Sequence, residues 1–358
     1  MNIKKLLSVV VATLMIGAGA TALAQVETIV PPIVQGAKPV AVERIKIHSV
    51  SIEGNLSGES ADRDVIVFLP PSYAKNSRQR YPVVYGLHGY FIDAEQWSGE
   101  IHVPQTIEGA FAQGANEMII VLPTSKNAYN GAMYSSSVTT GDFENFIAHD
   151  LVAYIDSHYR TLATRASRGL VGHSMGGYGA TRIGMKHADV FGSLYIMSPC
   201  CLSVRDPGPF NAEIQQQLES VKSPVESAKI NFMVRATFAV AAAWSPNPSN
   251  PPLYLDLPYK NGELQKDVVN KWAANAPLTY VDQYIHDLLR YRGIAIDVGD
   301  QDGLRVDATK LHEALDVYGV PNSFEIYPGT HTSAVADRFQ NHVMPFMSRN
   351  LCAQVKCP

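Results

Sequence analysis

Hydrophobic and polar positions change period several times along this chain, and each change marks an element. Over residues 42–52 apolar and polar side chains alternate with one slip (Val42, Ile45, Ile47, Val50, Ile52), and residues 64–69 carry Val65-Ile66-Val67-Phe68. Two such runs parted by a polar turn rich in Gly and Ser predict an antiparallel pair at one edge of a sheet. Residues 82–87 and 118–122 are instead short, continuous apolar runs, as expected of strands covered on both faces. Residues 107–113 suit a helix between them. Residues 143–159 place Phe143, Phe146, Ile147, Leu151, Val152, Tyr154 and Ile155 at the spacing of one helical face.

Further apolar runs follow at 168–171, 193–197, 293–298 and 323–327, with helical patterns over 306–318 and 333–348. Strands alternating with helices predict an α/β fold with a mostly parallel central sheet and helices on both faces, its ligand at the carboxyl ends of the strands. The alternation lapses over residues 202–292. There helical patterns at 212–221, 228–243, 264–273 and 281–289 surround the proline-rich turn Ser245-Pro246-Asn247-Pro248-Ser249-Asn250-Pro251-Pro252. That stretch is too long for one crossover, so an inserted helical cap is expected at 202–292, with the core formed by 42–201 and 293–350. Residues 25–41, with Pro31, Pro32 and Pro39, read as an extended lead-in.

The chain has 358 residues, of which 46% are hydrophobic and 17% charged, enough for a large buried core and unlike a disordered or fibrous chain. Residues 1–24 have the build of a secretory leader. Lys4 and Lys5 precede an apolar centre, and Ala22-Leu23-Ala24 offers a cleavage site before Gln25. The apolar stretch is short for the alternative, an uncleaved anchor, and a secreted or periplasmic protein is expected. Formal net charge is −4, and the leader removes two cations and no acid. An acidic chain without a basic run is a poor binder of nucleic acid or anionic membranes. Cys200, Cys201, Cys352 and Cys357 would then sit in an oxidising compartment. Cys352 could pair locally with Cys357, or a tail cysteine could pair with Cys200 or Cys201. Their spacing matches no common zinc pattern.

The chemistry gathers at Gly172-His173-Ser174-Met175-Gly176-Gly177, between an apolar run and a helix-compatible segment. Small-X-Ser-X-small in that setting is the pattern of a nucleophile elbow, where only glycine neighbours allow such close backbone approach. Ser174 is the expected nucleophile, and a helix starting after it would aim its amides at a developing oxyanion. A serine hydroxyl needs a base oriented by a third group, and on such a sheet the chain order is serine, acid, histidine. His331, in a loop after the run 323–327, is the expected base; His312 and His342 fall in helical patterns. His173 reads as structural. The acid comes from Gly299-Asp300-Gln301-Asp302-Gly303, with Asp302 preferred, Asp300 second and Asp297 read as a structural carboxylate. The amides of Met175 and Tyr90, with Gly89 as fallback, are the expected oxyanion donors. His88 is expected only to hold its loop. No metal or organic cofactor is required.

Leu87-His88-Gly89 with Trp97 downstream, Gly131-Ala132-Met133-Tyr134, the run 172–177, Asp297-Val298-Gly299-Asp300-Gln301-Asp302 and Tyr327-Pro328-Gly329-Thr330-His331 together resemble the putative-esterase branch of the α/β-hydrolases. That branch includes S-formylglutathione hydrolases, feruloyl esterases and mycolyltransferases. The resemblance runs from about residue 64 to 347 except across the cap, and implies Ser174, Asp302 and His331 as triad with Tyr90 and Met175 as amide donors. The long cap leaves the substrate open, and the leader argues against a cytosolic formylglutathione role. A secreted serine carboxylesterase acting on an aryl or acyl ester, small or polymer-borne, is the expectation, with Trp97, Tyr134 and the cap's Trp244 as substrate contacts. The rivals are an acyltransferase with the same triad, an amidase or peptidase, and a binding protein on an inactive hydrolase fold.

Overall fold

The computed structural model describes residues 28–203 and 211–354. The expected leader and Cys357 lie outside the described residues. Eight strands form one sheet: β1 Ala41–His48, β2 Asp62–Leu69, β3 Val83–Leu87, β4 Ile119–Pro123, β5 Arg168–His173, β6 Ser193–Met197, β7 Gly293–Gly299 and β8 Ser323–Tyr327. Their spatial order is β1-β2-β4-β3-β5-β6-β7-β8. β2 runs antiparallel to β1 and to β4, and every other pairing is parallel, so the expected mostly parallel α/β sheet is the one found.

The longer helices are α1 Ala94–Glu100, α2 Val103–Ala112, α3 Leu151–His158, α4 Met175–Lys186, α5 Ala212–Ser220, α6 Phe232–Trp244, α7 Lys266–Asn275, α8 Arg305–Val317 and α9 Met344–Asn350. They cover both faces because the strands are apolar on both. In β3, Val83, Tyr85 and Leu87 pack on one face and Val84 on the other; in β4, Ile119 and Val121 oppose Ile120 and Leu122. The first face is covered by Leu151 and Ile155 of α3, Tyr178 and Ile183 of α4 and Leu311 and Leu315 of α8. The second is covered by Trp97 of α1, Val103 and Ile107 of α2 and Met344 and Met347 of α9. Each such aliphatic side chain contributes roughly 1.5–3 kcal/mol by leaving water, so this two-faced sheet is the main source of stability.

Local differences from the periodicity have local causes. The first strand stops at His48, where residues 49–52 turn (Ile52 N–H to Ser49 O, 3.1 Å) and tuck Ile52 fully inside. α1 carries too little periodicity to be seen in the sequence, and is started by Asp93, whose carboxylate accepts the Gln96 amide at 2.8 Å. The segment between β6 and β7 is helical, with a small cluster of its own: Leu218, Val221, Phe238 and Leu255 close on Tyr129.

β3, β5, β6, β7 and β8 are consecutive in the sheet and parallel, so the loops leaving their carboxyl ends emerge side by side. Those loops begin at His88, Ser174, Ser198, Asp300 and Pro328.

Candidate active site

Between β5 and α4 the chain reverses within one residue. A Cβ on Gly172 would lie 2.0 Å from the Gly176 carbonyl oxygen, and one on Gly176 would lie 1.9 Å from that of Leu87. Both positions therefore require glycine. Ser174 at the apex has φ 59° and ψ −115°, a left-handed conformation that costs a non-glycine residue about 1–3 kcal/mol. Two hydrogen bonds clamp it to the neighbouring strand and its loop: Ser174 N–H to Met197 O and Cys200 N–H to Ser174 O, each 3.1 Å.

The Ser174 hydroxyl lies 2.9 Å from His331 Nε2, and His331 Nδ1 lies 2.8 Å from Asp302 Oδ2. With Nδ1–H donating to the carboxylate, Nε2 accepts from the hydroxyl, the tautomer a general base needs. The Asp302 side chain is only 2% exposed. Burial alone would raise its carboxyl, but the hydrogen bond and charge of His331 and the Leu304 amide (2.8 Å) outweigh it and hold the group below its ordinary value.

The competing aspartates have other partners. Asp300 Oδ1 accepts the Gly329 amide at 2.9 Å, tying its own loop to the one that carries His331. Asp297 is buried in β7, accepting from Arg338 Nε at 2.9 Å and the Tyr195 hydroxyl at 2.8 Å. Burial pushes Asp297 up to about 6, against the pull of Arg338.

The turn after β3 reaches the same point. A Cβ on Gly89 would sit 3.5 Å from that of Ser174. His88 fixes this turn: its Nδ1–H donates to Gly89 O at 2.8 Å and its Nε2 accepts the Ser125 amide at 2.9 Å. Burial pushes His88 down to about 4, so it remains the neutral donor-acceptor this bridging requires. Among the described residues the amides of Tyr90 and Met175 donate to no backbone carbonyl, which leaves both available beside Ser174.

A family model described as "Putative esterase" matches residues 59–344. The chain belongs to this family. Among relatives, an endo-1,4-beta-xylanase/feruloyl esterase of Xylanibacter ruminicola is 27% identical over 137 residues, 37% of this chain and 19% of that protein. An esterase of Mycobacterium tuberculosis is 30% identical over 131 residues, 36% of this chain and 27% of that one, so the chain spans only a small part of either relative. A solved ferulic acid esterase aligns with TM-score 0.61 at 24% identity over 87% of this chain and 99% of that one. An S-formylglutathione hydrolase of Staphylococcus aureus aligns with TM-score 0.57 at 16% identity over 87% and 100%. These structures share the fold.

In this esterase-family chain, the three side chains expected to contact substrate are turned to other work. Trp97 is fully buried on the face of the sheet covered by α2 and α9, its ring edge-on to Phe339 at 6.2 Å. Tyr134 is fully buried, donates to His88 O at 3.0 Å and fills the space beside Gly179, so it supports the turn after β3 from behind. Trp244 is 7% exposed, donates to Ser135 Oγ at 3.1 Å and packs on Tyr178. An aromatic ring near a motif gains most by burial, and here all three found it.

The aromatic surface beside the site is a different set. Tyr90, Phe91 and Phe232 pack mutually, Tyr90 to Phe232 at 5.6 Å and Phe91 to Phe232 at 5.5 Å, with Phe232 40% exposed. Arg235 and Lys126 stand 5.0 and 5.7 Å from the Phe91 ring. The sequence points to Tyr90 for its amide alone, and Phe91 carries no motif that would single it out. His173, read from the sequence as structural, has a structural task here: its ring lies tilted at 4.7 Å from that of His331 and its Nε2–H donates to His331 O at 2.8 Å. The sulfurs of Cys200 and Cys201 lie 2.7 Å apart and are not bonded to each other.

Proposed function

We propose that this chain is a secreted or periplasmic serine carboxylesterase acting on an aryl or acyl ester. The observation that carries the reading is the unbroken chain Ser174 Oγ, His331 Nε2, His331 Nδ1, Asp302 Oδ2, with links of 2.9 and 2.8 Å, beside the Tyr90 and Met175 amides.

Ser174 Oγ attacks the ester carbonyl as its proton passes to His331 Nε2. The tetrahedral oxyanion takes the Met175 and Tyr90 amides, and the positive end of α4 adds to their pull. Asp302, ionised and dry, stabilises the imidazolium that forms. As the tetrahedral species collapses, His331 returns the proton to the departing alkoxide and an acyl-enzyme remains on Ser174. Water enters, gives its proton to Nε2, and releases the acid by the reverse sequence. The exposed Phe232 with Tyr90 and Phe91 suits an aromatic ring in the acid or alcohol half, which accords with the feruloyl esterase named among the relatives.

The test is a panel of aryl and aliphatic esters with matched amides, run beside fluorophosphonate labelling of Ser174. Ester turnover with labelling at Ser174 sustains the reading; turnover in the absence of that label, or faster amide cleavage, overturns it. Added alcohol diverting product to a new ester would reassign the chain as an acyltransferase.

A further inference from the structure

The loop leaving β6 carries a chemistry that ester hydrolysis does not use. Its two sulfurs belong to consecutive residues, and Cys201 Sγ–H donates to Cys200 Sγ at 2.7 Å. Consecutive side chains in extended backbone point to opposite sides, so this closeness has to be built. Cys201 has φ 62° and Ser198 φ 39°, and these two left-handed residues bend the loop until both sulfurs lie on one side. Both cysteines are only partly buried, within reach of a small oxidant.

The same loop lies against the backbone of Ser174. Cys200 N–H donates to Ser174 O at 3.1 Å, and a Cβ on Gly177 would come 2.8 Å from Pro199 Cα. The cysteine pair is thus one hydrogen bond away from the peptide group of Ser174.

We propose that Cys200 and Cys201 are an oxidation site, closing to a vicinal disulfide under peroxide, and that this closure sets turnover. One thiolate attacks hydrogen peroxide, the O–O bond breaks, and a sulfenic acid and one water result. The second sulfur attacks the sulfenic sulfur, the S–S bond forms, and a second water leaves. Two thiols lose two electrons and two protons, and one peroxide becomes two waters. Consecutive Cα atoms are ~3.8 Å apart, short of the usual disulfide span, so a dithiol reopens the ring readily. The ring stiffens the backbone that holds the Ser174 carbonyl, and it leaves the aromatic surface untouched.

The experiment uses the full chain, reduced with dithiothreitol, exchanged into buffer, divided, and half treated with dilute hydrogen peroxide. Both halves are alkylated with iodoacetamide and digested with trypsin. Cleavage after Lys186 and Arg205 leaves both cysteines in one peptide, residues 187–205, so the ring appears as an unalkylated peptide lighter by two hydrogens. Expected is that peptide after peroxide, the doubly alkylated one after dithiothreitol, and kcat several-fold higher in the oxidised half at unchanged KM. Cys201→Ser is expected to hold kcat at one value in both halves. Double alkylation after peroxide, a link to Cys352 or Cys357, or a ring that leaves kcat unchanged would overturn the proposal. Failure of the esterase reading shows separately, as the absence of a fluorophosphonate label on Ser174 in both halves.

Discussion

The Nε2–H of His173 donates to the backbone carbonyl of His331 across 2.8 Å, so the residue just before Ser174 holds the loop that carries His331. Burial and the neighbouring imidazole push His173 down to about 3, which keeps it neutral across the working range. Among the described residues the His173 ring is the one side chain that donates to the His331 carbonyl, and His173→Ala removes it. We expect kcat to fall about 10- to 100-fold, the equivalent of roughly 1.4–2.8 kcal/mol, with the far-ultraviolet spectrum unchanged. Steady-state kinetics on the best ester check it, and a kcat within about twofold of wild type would deny the positioning role.

Asp302 and Asp300 offer a matched comparison. Asp302→Asn replaces the carboxylate that holds His331 Nδ1–H and should cost on the order of 10⁴ in kcat. Asp300→Asn keeps an oxygen to accept the Gly329 amide, so a loss below about tenfold is expected. Parallel kinetics decide the order, and a greater loss at Asp300 would reassign the acid.

The strain at Ser174 predicts a trade between stability and activity. Ser174→Gly relaxes φ 59° and should stabilise the fold by about 1 kcal/mol while removing turnover. Urea titration together with an ester assay checks both. A variant no more stable than wild type would mean that the elbow costs the fold nothing.

Acid stability should depend on Glu144. Burial alone would raise this carboxyl, but His187, Arg182 and Lys186 around it more than offset that and bring it from 4.5 to about 2. A depressed carboxyl stabilises the fold above its unfolded value and loses that contribution as pH falls from about 4.5 to about 2. The loss is on the order of 3 kcal/mol. Glu144→Gln should lower stability at pH 7 and flatten its decline toward pH 3. Denaturant midpoints at the two pH values measure this, and parallel declines for the two proteins would remove Glu144 as the cause.

Much of the fold was legible because a strand buried on both faces is a short apolar run whatever its neighbours are. Residues 118–122 read that way, and Ile119 to Leu122 are buried without exception. The aromatics were harder to read. Trp97 finds Phe339 from the far end of the chain, and Trp244 finds Ser135, pairings that no local period records. The motif around Tyr134 does not disclose that residue's task, which is to hold the carbonyl of His88 from behind.

What the sequence by itself determined lies within a few consecutive residues. Gly172, Ser174 and Gly176 specify a turn too tight for side chains, and the order serine, acid, histidine follows from strands that alternate with helices. The sequence also ranks Asp302 ahead of Asp300, but only tertiary structure set Asp302 against His331, gave His88 and His173 their partners and assembled the aromatic surface from Tyr90, Phe91 and Phe232. Those contacts join residues 29, 37 and 158 positions apart. A hydrogen bond depends on where two groups end up in space, and only the stacked order of the parallel strands brings these loops to one edge.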